Sequence, residues 1–134
     1  MDYGIAILLG RLLFGGYFIL MGINHFLNTE DLSGWVSAKG VPYADALVYL
    51  SGLMLFAGGL GVFVGAYPLV SIVLLGVFLA VVTPWFHNFW AMEGEDRADH
   101  RINFLKNMAL FGALLMMLSL NWTVYALGVN LGVL

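Results

Sequence analysis

The 134-residue chain is 62% hydrophobic and only 10% charged, has a net charge of −3 and contains no cysteine. Soluble domains are about half apolar and about a quarter charged, and so short a chain cannot bury this apolar excess in its own core. We therefore expect a single integral membrane domain. The composition excludes disulfides, thiolate metal sites and a basic surface for nucleic acid.

Four apolar runs have about the 20-residue length that crosses the hydrocarbon core of a bilayer as a helix. We place these spans at about residues 3–26, 43–65, 68–90 and 101–120. Helices satisfy their backbone hydrogen bonds internally, whereas a β-barrel needs short alternating segments that these uninterrupted runs do not offer. The predicted fold is an all-α integral membrane four-helix bundle with antiparallel neighbours.

Three connections separate the predicted spans. Residues 28–42 begin with capping residues followed by two acids, which predicts a short interfacial helical segment between the first two spans. In the second connection Gly65 can end one helix and Pro68 can begin the next, so the second and third spans form a hairpin. The third connection, residues 93–101, is the most charged segment, and we expect it in water.

The distribution of basic residues bears on orientation. Four spans put both termini on one side of the membrane, and the first and third connections on the other. Those connections carry Lys39, Arg97 and Arg101, whereas the side of the termini offers only Arg11 and the α-amino group. The positive-inside rule therefore favours cytoplasmic connections and termini outside.

Seventeen glycines are many for this length. Small residues spaced four apart let helix backbones approach closely within a membrane. The predicted helix-packing positions are Gly15, Gly22, Gly58, Gly59, Gly61 and Gly65. They serve either packing inside one bundle or an interface between copies of the chain.

Polar residues inside the spans need an explanation because they are costly to place in lipid. On the first span, one helical stripe carries Arg11, Gly15, Phe18, Gly22 and His25, so Arg11 is expected to face the interior. The other polar residues lie at the end of the third span and the start of the fourth span. These span ends are near the membrane surface that His25 also approaches. They are His87, Asn88, Asn103, Lys106 and Asn107.

Together these residues predict a polar pocket between the first, third and fourth spans. Trp85, Phe89 and Trp90 would supply an aromatic lining. A plainer interpretation also holds for each residue alone. Lys106 can extend its ammonium to the headgroups, the histidines can be ordinary interfacial residues, and the aromatic residues can form an interfacial belt.

The residue types restrict what such a pocket binds. A metal or an axially held haem is disfavoured, since His25 and His87 lie on different spans and no carboxylate lies deep in any span. His100 lies in the charged connection. A flat, partly apolar ligand with carbonyl oxygens suits aromatic rings and Lys, His and Asn donors better. A quinone has that shape, and a lipid headgroup meets the same description less specifically.

Four stretches of the chain resemble the DoxX family of small four-helix membrane proteins. They are residues 8–26, 40–53, 57–65 and 104–117, and together they cover most of the chain. Their specific parts are an early Gly-Arg, the Gly-x-Asn-His end of the first span, a Gly-Val-Pro connection and a Lys-Asn pair.

The resemblance implies a multi-pass protein of a prokaryotic plasma membrane, in a family linked to quinones, oxidative stress and complexes with redox enzymes. It also implies that Arg11, His25, Lys106 and Asn107 occupy recurring polar positions. One departure is Leu55, which stands where many relatives carry a glutamate.

The expected function is a quinone-interacting or redox-complex-associated membrane subunit. Because nothing in the chain supplies an electron carrier, redox chemistry would need a partner enzyme. Whether the protein is itself an enzyme stays open. The alternatives are a structural or assembly subunit without a ligand, including a homo-oligomer, and a small lipid- or solute-handling membrane protein. No covalent cofactor is expected.

Overall fold

The computed structural model describes residues 4–119 of the chain, and these form helices without any strand. The elements in chain order are α1 (Gly4–Leu27), α2 (Thr29–Ala38), α3 (Ala44–Val64), α4 (Pro68–Phe86), a 3₁₀ turn (Phe89–Ala91) and α5 (Gly94–Met117). The all-α class predicted from the sequence is confirmed.

Three segments within the described residues are long and apolar enough to cross a membrane: Gly4–Leu27, Ala44–Val64 and Pro68–Ala91. They correspond to the first three predicted spans. Helix α5 differs because it begins at Gly94, inside the charged connection, and its first turns carry charged side chains. The fourth predicted span starts later on α5 and ends at Leu120, outside the described residues, so it stays a prediction.

Local sequence explains where the helices begin and end. The connection after α1 does form a helix, α2, with Glu30 and Asp31 in its first turn. Asn28 precedes α2 but does not cap it, because its side-chain amide donates to Asn24 Oδ1 at 2.7 Å. Helix α3 ends at Gly65 in the left-handed conformation, with the Gly65 N–H donating to Gly61 O at 2.9 Å.

Glycines bring α1 and α3 into backbone contact. A Cβ at Gly15 would lie 2.6 Å from Phe63 N, and one at Gly22 would lie 2.7 Å from Phe56 N. From the other side, a Cβ at Gly59 would lie 2.8 Å from Ile19 N. Since real Cβ atoms do not approach so closely, these glycines set the separation of the two helices.

Helices α3 and α4 close together near the turn that joins them. A Cβ at Gly58 would meet Leu75 Cγ at 2.7 Å, and one at Gly61 would overlap the hydroxyl of Ser71. Helix α4 in turn packs against α5, and α2 lies against α3. The buried core consists of Phe18, Leu55, Val62, Ile72, Leu75, Leu79 and Leu114.

Candidate functional site

A cavity of about 480 Å³ is lined by residues from all five α-helices. Cavities of roughly 300–1,000 Å³ are typical of small-molecule sites. Its walls are mainly apolar, and it lies toward the end of the bundle where α1 ends and α3 begins. The polar side chains on its walls, apart from tryptophan, are Tyr17, His25, Ser51, His87, Lys106 and Asn107.

The structure brings only part of the predicted pocket together. His25, Trp85, His87, Lys106 and Asn107 line the cavity. Five other predicted residues do not line it: Arg11, Asn88, Phe89, Trp90 and Asn103.

Four of those five residues lie close to the cavity and have partners of their own. Asn88 Oδ1 accepts a hydrogen bond from Lys39 Nζ at 3.2 Å. Asn103 Oδ1 accepts one from Lys106 Nζ at 3.0 Å. Phe89 and Trp90 pack edge-on against Phe104, with ring centroids 5.4 and 5.7 Å away. These four residues lie next to the cavity but do not line it.

Arg11 lies away from the cavity, in contact with the end of α3. Its side chain is buried as expected, but Nε donates to Val62 O at 3.0 Å and Nη2 donates to Phe63 O at 3.2 Å. These carbonyls belong to the last turn of α3, where backbone acceptors lack partners within the helix and the helix dipole is negative. Arg11 therefore binds the C-terminus of α3, about 21 Å along α1 from His25 at roughly 1.5 Å per residue.

Asn107 is the most unusual polar residue on the cavity wall. It is only 8% exposed, and its side chain makes no hydrogen bond to any residue that the structure describes. Among the described residues, the fully enclosed side-chain atoms without a partner are Ser33 Oγ and Thr83 Oγ1, so the amide atoms of Asn107 keep access to the cavity space. The donor and acceptor atoms of Asn107 are therefore available to a molecule inside the cavity.

Only one of the two ring nitrogens of His25 bonds to the backbone of its own helix. Its Nδ1 lies 2.8 Å from Met21 O, and because a carbonyl can only accept, Nδ1 carries the proton of this bond. In the neutral ring Nε2 is then an acceptor without a hydrogen. The edge of Phe78, 5.9 Å away between ring centroids, packs beside the imidazole and fixes its orientation.

A second histidine pair ties three helices together beside the cavity. His87 Nδ1, just past the end of α4, lies 3.2 Å from His100 Nδ1 on α5, so one ring donates and the other accepts. The ring of His100 stacks on Trp35 of α2, with centroids 6.3 Å apart. Since Trp35 and His87 both line the cavity, this cluster closes α2 over one end of it.

The cavity wall is rich in hydrogen-bond donors, and no carboxylate lines it. Lys106 contributes an ammonium group at an exposed position. Leu55, which stands where the resemblance suggests a glutamate, is 1% exposed and also lines the cavity. Within residues 4–119, no group of three or more His, Cys, Asp or Glu side chains could hold a metal ion. The wall therefore suits a ligand that carries acceptor oxygens.

Several wall residues were not predicted from the sequence. Helix α3 contributes apolar side chains and Ser51, whose hydroxyl donates to Val48 O of its own helix at 2.9 Å. Tyr17 and Trp35 also belong to the wall. Trp35 carried a usable signal, since an aromatic residue in an interfacial helix next to a pocket is a natural cover.

The chain was compared with protein families, curated proteins and solved structures. The sequence model of the DoxX family matches residues 6–88, which is more than half of the chain. No curated protein and no solved structure matched. The matched range includes α1 to α4 and ends before Lys106 and Asn107. The family match and the three apolar spans together show that the chain is an integral membrane protein of the DoxX family.

Proposed function

We propose that the protein is a quinone-binding membrane subunit whose cavity holds the quinone headgroup. The observation that carries this proposal is Asn107, an amide more than nine-tenths buried, without a partner in the described residues, on the wall of a cavity of ligand size. The Asn107 amide has no partner within the part of the chain that the structure describes, so its N–H is free to donate to a carbonyl oxygen of a ligand in the cavity.

The chemistry of the other wall residues supports the same class of ligand. Quinone oxygens only accept hydrogen bonds, and the wall offers donors from Asn107 and Lys106 and no competing carboxylate. The flat ring would lie among apolar and aromatic side chains that include Phe78 and Trp85. In the tautomer in which His87 Nδ1 accepts from His100, the Nε2–H of His87 would donate to a second oxygen.

These residues bind and orient a ligand, and electrons would come from elsewhere. We infer a partner redox enzyme in the same membrane, because redox chemistry needs an electron carrier and the proposed role of the wall residues is to bind the ligand. The proposed setting is a prokaryotic plasma membrane with both termini outside. In this arrangement the subunit supplies the quinone site and the partner supplies the redox chemistry.

Binding of a tail-less benzoquinone to the purified protein in mild detergent tests the proposal. Asn107→Leu keeps the side-chain volume and removes the amide, so we expect about tenfold weaker binding or worse. Lys106→Ala should also weaken binding. Lys39→Ala is its matched control, because Lys39 does not line the cavity.

Three results would contradict the proposal. Wild-type protein that shows no saturable binding would exclude a quinone site and favour a structural subunit. Saturable binding that Asn107→Leu leaves unchanged would place the ligand outside this cavity. A bound phospholipid in place of the quinone would favour the lipid-handling alternative.

A further inference from the structure

The cavity is wedge-shaped between α3 and α4. Near their connecting turn, Gly58 and Gly61 hold α3 against Leu75 and Ser71 of α4. Gly58 and Gly61 belong to a stripe along one face of α3. Toward the N-terminus of α3, the same stripe carries Leu47, Leu50 and Met54 at helical spacing. There the cavity, and not α4, faces the stripe, because all three residues line it.

Six large apolar side chains both line the cavity and remain substantially exposed. One is Trp35 of α2 (62% exposed), and the other five lie on α3 and α4. These five are Leu47 (41% exposed), Leu50 (54%), Val77 (49%), Val81 (51%) and Trp85 (50%). The first two lie on α3 and the other three follow one edge of α4 at four-residue spacing. We call this set of five the lateral opening. A wall residue about half exposed lies at a mouth, so the cavity opens sideways between the two helices.

The lateral opening lies at membrane depth. All five residues belong to the apolar segments Ala44–Val64 and Pro68–Ala91, which are long enough to cross a bilayer. Lys106 and Asn107 come from α5 and His25 comes from α1, whereas His87 follows the end of α4 and the Ser51 hydroxyl of α3 bonds to its own helix. The cavity therefore runs from hydrogen-bonding groups inside the bundle to an apolar mouth that faces lipid.

We propose that the ligand enters this cavity sideways from the bilayer and keeps a long apolar tail in the lateral opening. The inference rests on the proposed function, since the polar end must first hold a headgroup. A tail passing between α3 and α4 stays in apolar surroundings throughout, whereas a headgroup placed at this mouth would find no hydrogen-bond partner except the Trp85 indole. The ligand class is thus an amphiphile with a compact, acceptor-bearing head and an isoprenoid or acyl chain.

A steric block of the lateral opening tests the inference. Val81→Phe adds a ring at the mouth, and Val73→Phe adds the same ring on the same helix. Val73 is 52% exposed, against 51% for Val81, but does not line the cavity. The probes are a tail-less benzoquinone, the same ring with a long isoprenoid tail, and a long-chain fatty acid. Each affinity is measured in nanodiscs of one lipid and expressed relative to wild type, so that membrane partitioning cancels.

Val81→Phe is expected to weaken the long-tailed quinone about tenfold and to leave the tail-less one within about twofold, since overfilling a packed space is costly. Val73→Phe should change neither. Equal effects of Val81→Phe on both quinones, or no effect on the long-tailed one, would overturn the lateral opening.

The Asn107→Leu variant distinguishes a failure of the lateral opening from a failure of the proposed headgroup site. If Asn107→Leu weakens both quinones while Val81→Phe does not discriminate between them, the headgroup site stands and the lateral entry is wrong. If neither quinone binds but the fatty acid binds and is sensitive to Val81→Phe, the tail path stands and its source is an acyl lipid. If no probe binds to wild type, both inferences fail.

Discussion

Replacing Gly15 by alanine should destabilise the protein because it forces α1 away from α3. The new Cβ would lie 2.6 Å from Phe63 N, 2.7 Å from Gly59 O and 2.9 Å from Phe63 Cα. Ordinary contact begins at 3.4 Å, so the helices must separate locally by about 0.8 Å, the difference between 3.4 and 2.6 Å. A gap of that size forfeits a quarter to a half of the dispersion energy of the contacts that widen.

We expect Gly15→Ala to lower the free energy of unfolding by about 1–3 kcal/mol, the usual cost of overpacking. Gly10→Ala is the matched control on the same helix, since nothing lies within 4 Å of its Cβ position. Alanine raises helix propensity by up to about 1 kcal/mol at either site, so the difference between the variants isolates packing.

Unfolding in mixed micelles, followed by circular dichroism, measures that difference. Because the gain in helix propensity is common to both variants, a lower stability of Gly15→Ala can only come from its contacts with α3. Equal stabilities for Gly15→Ala and Gly10→Ala would refute the close approach of α1 and α3.

Three further predictions concern single side chains. Arg11→Leu should lower the free energy of unfolding by about 3 kcal/mol in the same assay, because two charge-assisted hydrogen bonds to the end of α3 are lost; an unchanged value would contradict that role. Thr83→Val should raise it by about 1 kcal/mol, since the fully buried hydroxyl has no partner among the described residues; destabilisation would reveal a hidden partner. His100→Phe keeps a ring on Trp35 but loses the bond to His87, so quinone affinity should fall; an unchanged affinity would contradict the role of this histidine pair.

The helical architecture follows closely from local properties of the sequence. Lipid offers the backbone no hydrogen-bond partner, so long apolar runs have to be helices. The spacing along α1 also predicts which face is buried, and Arg11, Gly15, Phe18 and Gly22 are its buried residues. Gly65 ends α3 where a left-handed residue was expected, since it adopts a positive φ of 76°.

The site was harder to predict than the fold. Whether a residue belongs to a site depends on its depth in the membrane and its hydrogen-bond partner, as well as on the helix face that carries it. Counting along antiparallel spans placed His25, His87 and Asn107 at one level, and all three line the cavity. The same reasoning assigned Arg11 to that pocket because its face was right. Its partners are backbone carbonyls, which every helix end presents and no sequence pattern marks. Helix α3 also gave no signal, because an apolar residue such as Leu50 looks the same on a cavity wall as against lipid.

Native mass spectrometry of the protein released from its own membrane tests the central claim most directly. The cavity account predicts that wild type carries a nonprotein molecule with a long apolar tail, and that Asn107→Leu loses this molecule while staying folded. Wild-type protein that carries no such molecule, or an Asn107→Leu variant that retains it in full, would contradict a ligand site built around this buried amide.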